Sequence, residues 1–267
     1  MWSLGILNVN VAIAALIKEG KVMKLNCDLG EFKDNNDADI MPLIDMANIA
    51  CGFHGSDPLT IKNTVKLAHQ HHVIIGAHPS YPDVENFGRQ SMQLTSSDLM
   101  ANVQYQIGAL QALCNAEDTQ VHYVKPHGAL YNDMMKDLNL FTDICAAIAQ
   151  LNQRSHQPLS LMIQALTNSE PFEQIAKQYQ IHLYFEAFAD RAYLDNGLLM
   201  PRSEAGAVLT NNHDVVKRCQ DILQQKPLLS ANQKPLQFHI DALCVHGDTP
   251  NAFAMIEALR ATINAEK

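Results

Sequence analysis

Apolar runs of strand length in this chain end repeatedly in a short cluster of His, Asp, Glu, Lys or Arg beside Gly or Pro. Leu25-Asn26-Cys27 runs into Asp28-Leu29-Gly30-Glu31, and Ala47-Asn48-Ile49-Ala50-Cys51 into Gly52-Phe53-His54-Gly55. Val73-Ile74-Ile75-Gly76 runs into Ala77-His78-Pro79-Ser80, and Val121-His122-Tyr123-Val124 into Lys125-Pro126-His127-Gly128. Leu183-Tyr184-Phe185 reaches Glu186 and then Asp190-Arg191, and Leu243-Cys244-Val245 reaches His246-Gly247-Asp248. Polar groups gathered at the carboxyl ends of many strands are how a parallel α/β barrel assembles one active site.

Seven strand candidates follow Met23: 23–27, 46–51, 73–78, 121–125, 159–165, 182–187 and 239–246. Helical patterns lie between most of them. Asp57-Pro58 reads as an N-cap followed by proline at the first helical position, with Leu59, Ile61, Val65, Leu67 and Ala68 on the apolar face. Thr95 precedes a long helix through about Leu113, Thr167 with Glu170 reads as a capping box, and Thr249-Pro250 opens a C-terminal helix carrying Phe253, Ile256 and Leu259. Strands alternating with helices imply a parallel sheet with right-handed crossovers. Seven such units without an evident switch point favour a barrel over an open sheet. The irregular stretches 79–95 and 189–203 each follow a strand end, where long loops line or cover a site.

A formal net charge of −9 argues against nucleic acid and membrane surfaces as main partners, while leaving room for a local arginine cluster that binds an anion. Six scattered cysteines without a CxxC pair predict a reduced, cytoplasmic setting. No GxxxxGK[ST] loop, no GxGxxG after the first strand and no GxSxG are present, so the chain carries no recognisable nucleotide site or serine-hydrolase elbow of its own.

Asp28 and Glu31, flanking Gly30, read either as turn and cap residues or as carboxylates at the barrel mouth. His54 and His78 end adjacent strands, and with Asp28 they make a plausible divalent-metal set. His69, His71 and His72 read as surface groups at a helix end. Lys125 and His127 alternate with Pro126 and can point to one side of the strand. A lysine in a barrel mouth needs an anion or a shifted pKa. Arg89, Asp190-Arg191 and Pro201-Arg202 supply guanidinium forks suited to carboxylate or phosphate, or else surface ion pairs. His246 is a further catalytic candidate and Asp248 a cap or binding residue. Cys51 and Cys244 read as small buried hydrophobes.

Together these blocks, with Glu85-Asn86-Phe87-Gly88-Arg89, Gly128-Ala129-Leu130-Tyr131, Glu186-Ala187-Phe188-Ala189-Asp190-Arg191 and Pro201-Arg202-Ser203, closely resemble the LamB/YcsF family from Met23 almost to the C-terminus. The resemblance implies a seven-stranded parallel β/α barrel, distorted TIM-like and similar to polysaccharide deacetylases. It implies ATP-dependent opening of the lactam ring of 5-oxo-L-proline to L-glutamate by the A subunit of 5-oxoprolinase. ATP with Mg2+ is the implied cofactor, and B and C subunits resembling allophanate hydrolase parts are the implied partners. For that reaction we expect Lys125 and Arg191 or Arg202 on the substrate carboxylate or transferred phosphoryl group. Asp28 or Glu186 would deprotonate water, and His127 or His246 would protonate nitrogen. His54, His78, Arg89, Asp190 and Asp248 complete the expected binding set. Two rival readings are a metal-dependent deacetylase of a small amide or sugar, using Asp28, His54 and His78, and a non-catalytic substrate-binding subunit.

Residues 1–22 lie outside the resemblance and form an N-terminal extension to a single barrel domain spanning 23–267. Lys18-Glu19-Gly20 can be encoded by a purine-rich, ribosome-binding-like stretch just upstream of the Met23 codon. We expect Met23 to be the natural start and 1–22 to be leader DNA. The intact mass of protein made from the native locus should begin at Met23, and a native product carrying Met1-Trp2 contradicts this.

Overall fold

The computed structural model describes residues 23–33, 36–245 and 252–265. Residues 1–22, His246, Asp248 and the Thr249-Pro250 helix start lie outside these. Seven parallel strands close into a barrel: β1 (Lys24–Leu29), β2 (Met46–Ala50), β3 (Ile74–His78), β4 (Tyr123–Val124), β5 (Ser160–Gln164), β6 (Leu183–Phe188) and β9 (Ala242–Val245). The last strand pairs with β1 through Cys27↔Val245 and with β6 through Phe188↔Cys244, so the sheet has no open edge. A short antiparallel hairpin, β7 (Leu228–Leu229) and β8 (Pro235–Leu236), precedes the closing strand.

Each of the seven expected strands is present, with ends shifted by a few residues. The fourth is the shortest, only Tyr123–Val124, although its ladder continues as hydrogen bonds from Lys125 N to Ala77 O (2.8 Å) and His127 N to Pro79 O (2.8 Å). Pro126 between them has no N–H to offer, which ends regular pairing there.

Helices cover the outside: α1 (Asp37–Ile40), α2 (Pro58–Gln70), α3 (Ser96–Ala116), α4 (Gly128–Met134), α5 (Leu138–Asn152), α6 (Glu170–Gln178), α7 (Asn212–Leu223) and α8 (Ala252–Ala265). Asp57 caps α2 by accepting from Leu59 N (3.0 Å) and Thr60 N (3.3 Å), and Thr95 caps α3 by accepting from Asp98 N (3.2 Å). On α2 the buried stripe is Ile61, Val65 and Ala68, whereas Leu59 is 67% exposed. At 100° per residue Leu59 falls on the face opposite Ile61. Phe253 on α8 is likewise exposed, while Met255, Ile256, Leu259 and Ile263 pack inward. The expected capping box at Thr167 does not form: α6 starts at Glu170, after Ser169. A start at Thr167 would put Pro171 at the fourth helical position, where its missing N–H would break the first intrahelical bond.

The lumen is stratified. Residues Leu25, Cys27 and Leu29 of β1 face the helices, and Asn26 and Asp28 face inward, as period-two alternation requires. Met46, Tyr123, Met162 and Ala242 form a separate apolar cluster that floors the barrel. Above it, the Tyr123 hydroxyl donates to Asn48 Oδ1 (2.6 Å), and Asn48 Nδ2 donates to Asn26 Oδ1 (2.8 Å) and Asp28 Oδ1 (2.7 Å). The Tyr123 ring fits only because β3 carries Gly76 beside it. A Cβ on Gly76 would stand 2.2 Å from that ring. Among the described residues no helix is long and apolar enough to cross a membrane.

Gly76→Ala should therefore displace Tyr123 and cost about 1–3 kcal/mol, as overpacking does. Urea unfolding measures it, and a midpoint equal to that of the native sequence contradicts this packing.

Candidate active site

Lys125 is 2% exposed, and its ammonium stands at the centre of the lumen. Its Nζ lies 2.9 Å from Asp28 Oδ1, 3.1 Å from Glu186 Oε2 and 3.2 Å from Cys244 Sγ. Burial alone would strip the proton from this lysine. The adjacent negative charge, Asp28 foremost, overrides that and holds its pKa well above the ordinary lysine value. Burial also pushes the Cys244 thiol up, so it remains neutral and the two carboxylates are the counter-ions. Strands β1, β4 and β6 are thus tied across the barrel by charge as well as by packing.

A chain of histidines extends from Asp28 toward the mouth. His78 Nδ1 lies 2.6 Å from the Lys125 carbonyl, and its Nε2 lies 3.3 Å from Asp28 Oδ2. His127 Nε2 lies 2.9 Å from the Phe87 carbonyl, and its Nδ1 lies 3.0 Å from His78 Nε2. His54 stacks on His127, centroids 3.7 Å apart, and its Nε2 lies 3.2 Å from Glu31 Oε1. Burial first, then the neighbouring histidines, pushes His127 well below the usual histidine range, and burial followed by His78 does the same to His54. The 79–95 loop closes over this pair. Gly88, at φ +63°, sits where a Cβ would fall 2.8 Å from His54 Cβ and 2.9 Å from His127 Cδ2.

A cavity of about 440 Å³ opens above these groups. Asp28, His78, Lys125 and His127 form its floor, and Arg89, Arg191 and Arg202 stand in its wall. The Arg191 guanidinium donates to the carbonyls of Met200 (2.6 Å) and Ala207 (3.3 Å), which fixes its orientation. Burial, and then neighbouring Arg202, pushes Arg191 down to about 10. Guanidinium forks at a cavity wall suit a carboxylate or phosphate ligand. The stretch 189–203 supplies both arginines, as its position after β6 led us to expect.

The structure does not bring all the expected residues to this cavity. Glu186 is fully buried beneath Lys125, His54 lies behind His127, and Asp190 is fully buried; none of the three lines the cavity. The expected trio of Asp28, His54 and His78 is not a ligand set among the described residues. The two groups whose ligand atoms lie within 4.8 Å of one another are Asp28-His78-His127 and Glu31-His54-His127. His54 is the odd member of the expected trio because its Nε2 is turned to Glu31. Sequence reasoning also left out Tyr131, which lines the cavity. Burial, then the charge of Glu186, pushes its phenol up, yet its hydroxyl completes no hydrogen bond among the described residues. Asn26 was missed too, although its spacing of two from Asp28 on one strand face was the available signal.

The LamB/YcsF family profile matches residues 23–267. The A subunit of 5-oxoprolinase from Vibrio cholerae serotype O1 is 44% identical over 248 residues, covering 91% of this chain and 98% of that one. A 5-oxoprolinase A subunit from Pseudomonas aeruginosa is 43% identical over 253 residues, covering 92% and 98%. The crystal structure of a lactam utilization protein from Thermus thermophilus superposes with a TM-score of 0.81 at 34% identity, covering 91% of this chain and 96% of that one.

Replacing Lys125 by Met would leave Asp28 and Glu186 without their shared cation. Removing one partner of a buried ion cluster costs about 3–5 kcal/mol. Lys125→Met should lower the urea midpoint accordingly, and an unchanged midpoint would show that the charges do not hold the strands.

Proposed function

This chain belongs to the LamB/YcsF family, and from that premise we propose that it opens the lactam ring of 5-oxo-L-proline to L-glutamate, coupled to ATP, as the A subunit of a complex with B and C subunits. One observation carries the reading at the level of chemistry. A cavity sized for a small molecule is lined by both Asp28 and the Arg191-Arg202 pair. A small substrate bearing a carboxylate and an amide fits that distribution of charge.

A lactam resists water because its nitrogen lone pair is delocalised into the carbonyl. Transfer of the γ-phosphoryl group of Mg-ATP to the amide oxygen removes that protection and releases ADP. Water then adds to the ring carbon and gives its proton to Asp28, the carboxylate that lines the cavity. Glu186 sits behind Lys125 and serves as its counter-ion. The C–N bond breaks as nitrogen takes up a proton from His127 or His246. The resulting acyl phosphate reacts with a second water to give glutamate and phosphate. Arg191 and Arg202 hold the substrate carboxylate or the transferred phosphoryl group, and Lys125 adds fixed positive potential from below. Nucleotide binding is shared with or supplied by the partners, in keeping with the missing phosphate-loop motifs.

Glutamate formation from 5-oxoproline and ATP should require this chain together with its B and C subunits, with omission of any one abolishing it. In the complete complex Arg202→Ala should raise KM about tenfold or more with a smaller change in kcat, because a charged contact to a carboxylate is worth roughly 1.5–3 kcal/mol. No glutamate from any combination overturns the proposal and favours a metal-dependent deacetylase.

A further inference from the structure

The two histidines at the cavity floor are held in a way that hydrogen bonding between neutral rings does not explain. A carbonyl oxygen can only accept, so the 2.6 Å contact to the Lys125 carbonyl places a proton on His78 Nδ1. By the same reasoning the 2.9 Å contact to the Phe87 carbonyl places a proton on His127 Nε2. In the neutral rings, His78 Nε2 and His127 Nδ1 then carry lone pairs, and they face each other at 3.0 Å. Two carboxylate oxygens, also acceptors, each approach one member of this pair. Asp28 Oδ2 lies 3.3 Å from His78 Nε2, and Glu31 Oε1 lies 3.4 Å from His127 Nδ1.

We propose that Asp28 Oδ2, His78 Nε2 and His127 Nδ1, with Glu31 Oε1 beside them, form a binding site for a divalent first-row transition-metal ion such as zinc. The spacings fit one shell. Donors bonded at about 2.1 Å are roughly 3.0 Å apart at a right angle and roughly 3.4 Å apart at the tetrahedral angle. The His78–His127 and Asp28–His78 contacts of 3.0 and 3.3 Å lie in that range, and Glu31 stands at the edge of this trio, 3.4 Å from His127 Nδ1. Two imidazoles with carboxylates are the donor set that zinc and its neighbours take. The surrounding groups orient the ligands as outer-shell partners do. Backbone carbonyls fix both imidazole tautomers. Lys125 (2.9 Å) and Asn48 (2.7 Å) occupy Asp28 Oδ1 and turn Oδ2 toward the site. His54 Nε2 donates to Glu31 Oε1 at 3.2 Å, which makes His54 a positioning residue for Glu31.

The site borders the cavity, so a bound ion could act as a Lewis acid toward a carbonyl or phosphoryl oxygen there. Ligation would commit both Asp28 and His127 to the ion, so that with the ion bound the water's proton would go to a group other than Asp28, and His246 would be left to protonate the leaving nitrogen.

The test uses the full chain alone, stripped with a chelator and then titrated with Zn2+ by calorimetry and with Co2+ by visible absorption. One equivalent of each should bind, with the d–d bands of a nitrogen-oxygen site. His78→Gln and His127→Gln should each weaken zinc binding at least tenfold, and His54→Gln should weaken it less. The surface variant His69→Ala should bind as the native chain does. Circular dichroism checks that each variant folds. If the ligand variants do not fold, the Co2+ spectrum of the native chain still decides the matter. Absence of saturable binding to the folded native chain overturns the proposal, and so does zinc affinity unchanged in a folded His127→Gln. Metal binding without glutamate formation would retain this site and remove the lactamase reading, and glutamate formation by a complex whose folded chain shows no saturable metal binding would do the reverse.

Discussion

A single buried ammonium group organises this barrel. Lys125 enters the lumen from β4 and meets carboxylates carried by β1 and β6, so three strands far apart in sequence are fixed by one charge cluster. Each carboxylate there is tolerable only because the cation is present, and the cation only because of the carboxylates. The cluster also sets what lies above it. Asp28 spends one oxygen on Lys125 and presents the other to His78, and the Lys125 carbonyl fixes the His78 ring. The orientation of the cavity floor is therefore inherited from an ion cluster that substrate need not touch.

Much of the architecture was legible in the sequence because it depends on local periodicity. Apolar runs of strand length, most of them with polar residues at their carboxyl ends, identify β1 to β6 and the closing strand to within a few residues, and Asp57-Pro58 and Thr95 mark true helix starts. What local pattern could not supply was geometry between distant elements. Nothing in the spacing of His54 and His127 announces that their rings stack, since the contact depends on Gly88 of another loop clearing the space beside them. For the same reason nothing around Glu186 in the sequence announces that it lies buried under Lys125 and pairs with it. Leu59 and Phe253 show a related limit. Helical spacing says which residues share a face, but exposure is decided by what packs there.

Polarity is graded along the barrel axis, from Met46, Met162 and Ala242 through the Asn26-Asn48-Tyr123 network to the charged cavity floor. Such grading lets one fold combine a dry, close-packed base with reactive groups of shifted pKa, because the buried polar atoms of the middle layer are satisfied by one another. The loops then have only to add the wall. Arg89 comes from 79–95, and Arg191 and Arg202 from 189–203.

The Tyr123 ring seated against Gly76 has a further consequence, for traffic. Among the described residues that ring, with Met46, Met162 and Ala242, plugs the base of the barrel, and the cavity at the other end is where Asp28 is reached. Such a dead end makes the order of arrival matter. A partner that settles over the mouth after the small molecule has entered would confine it, together with any short-lived intermediate, until that partner lifts.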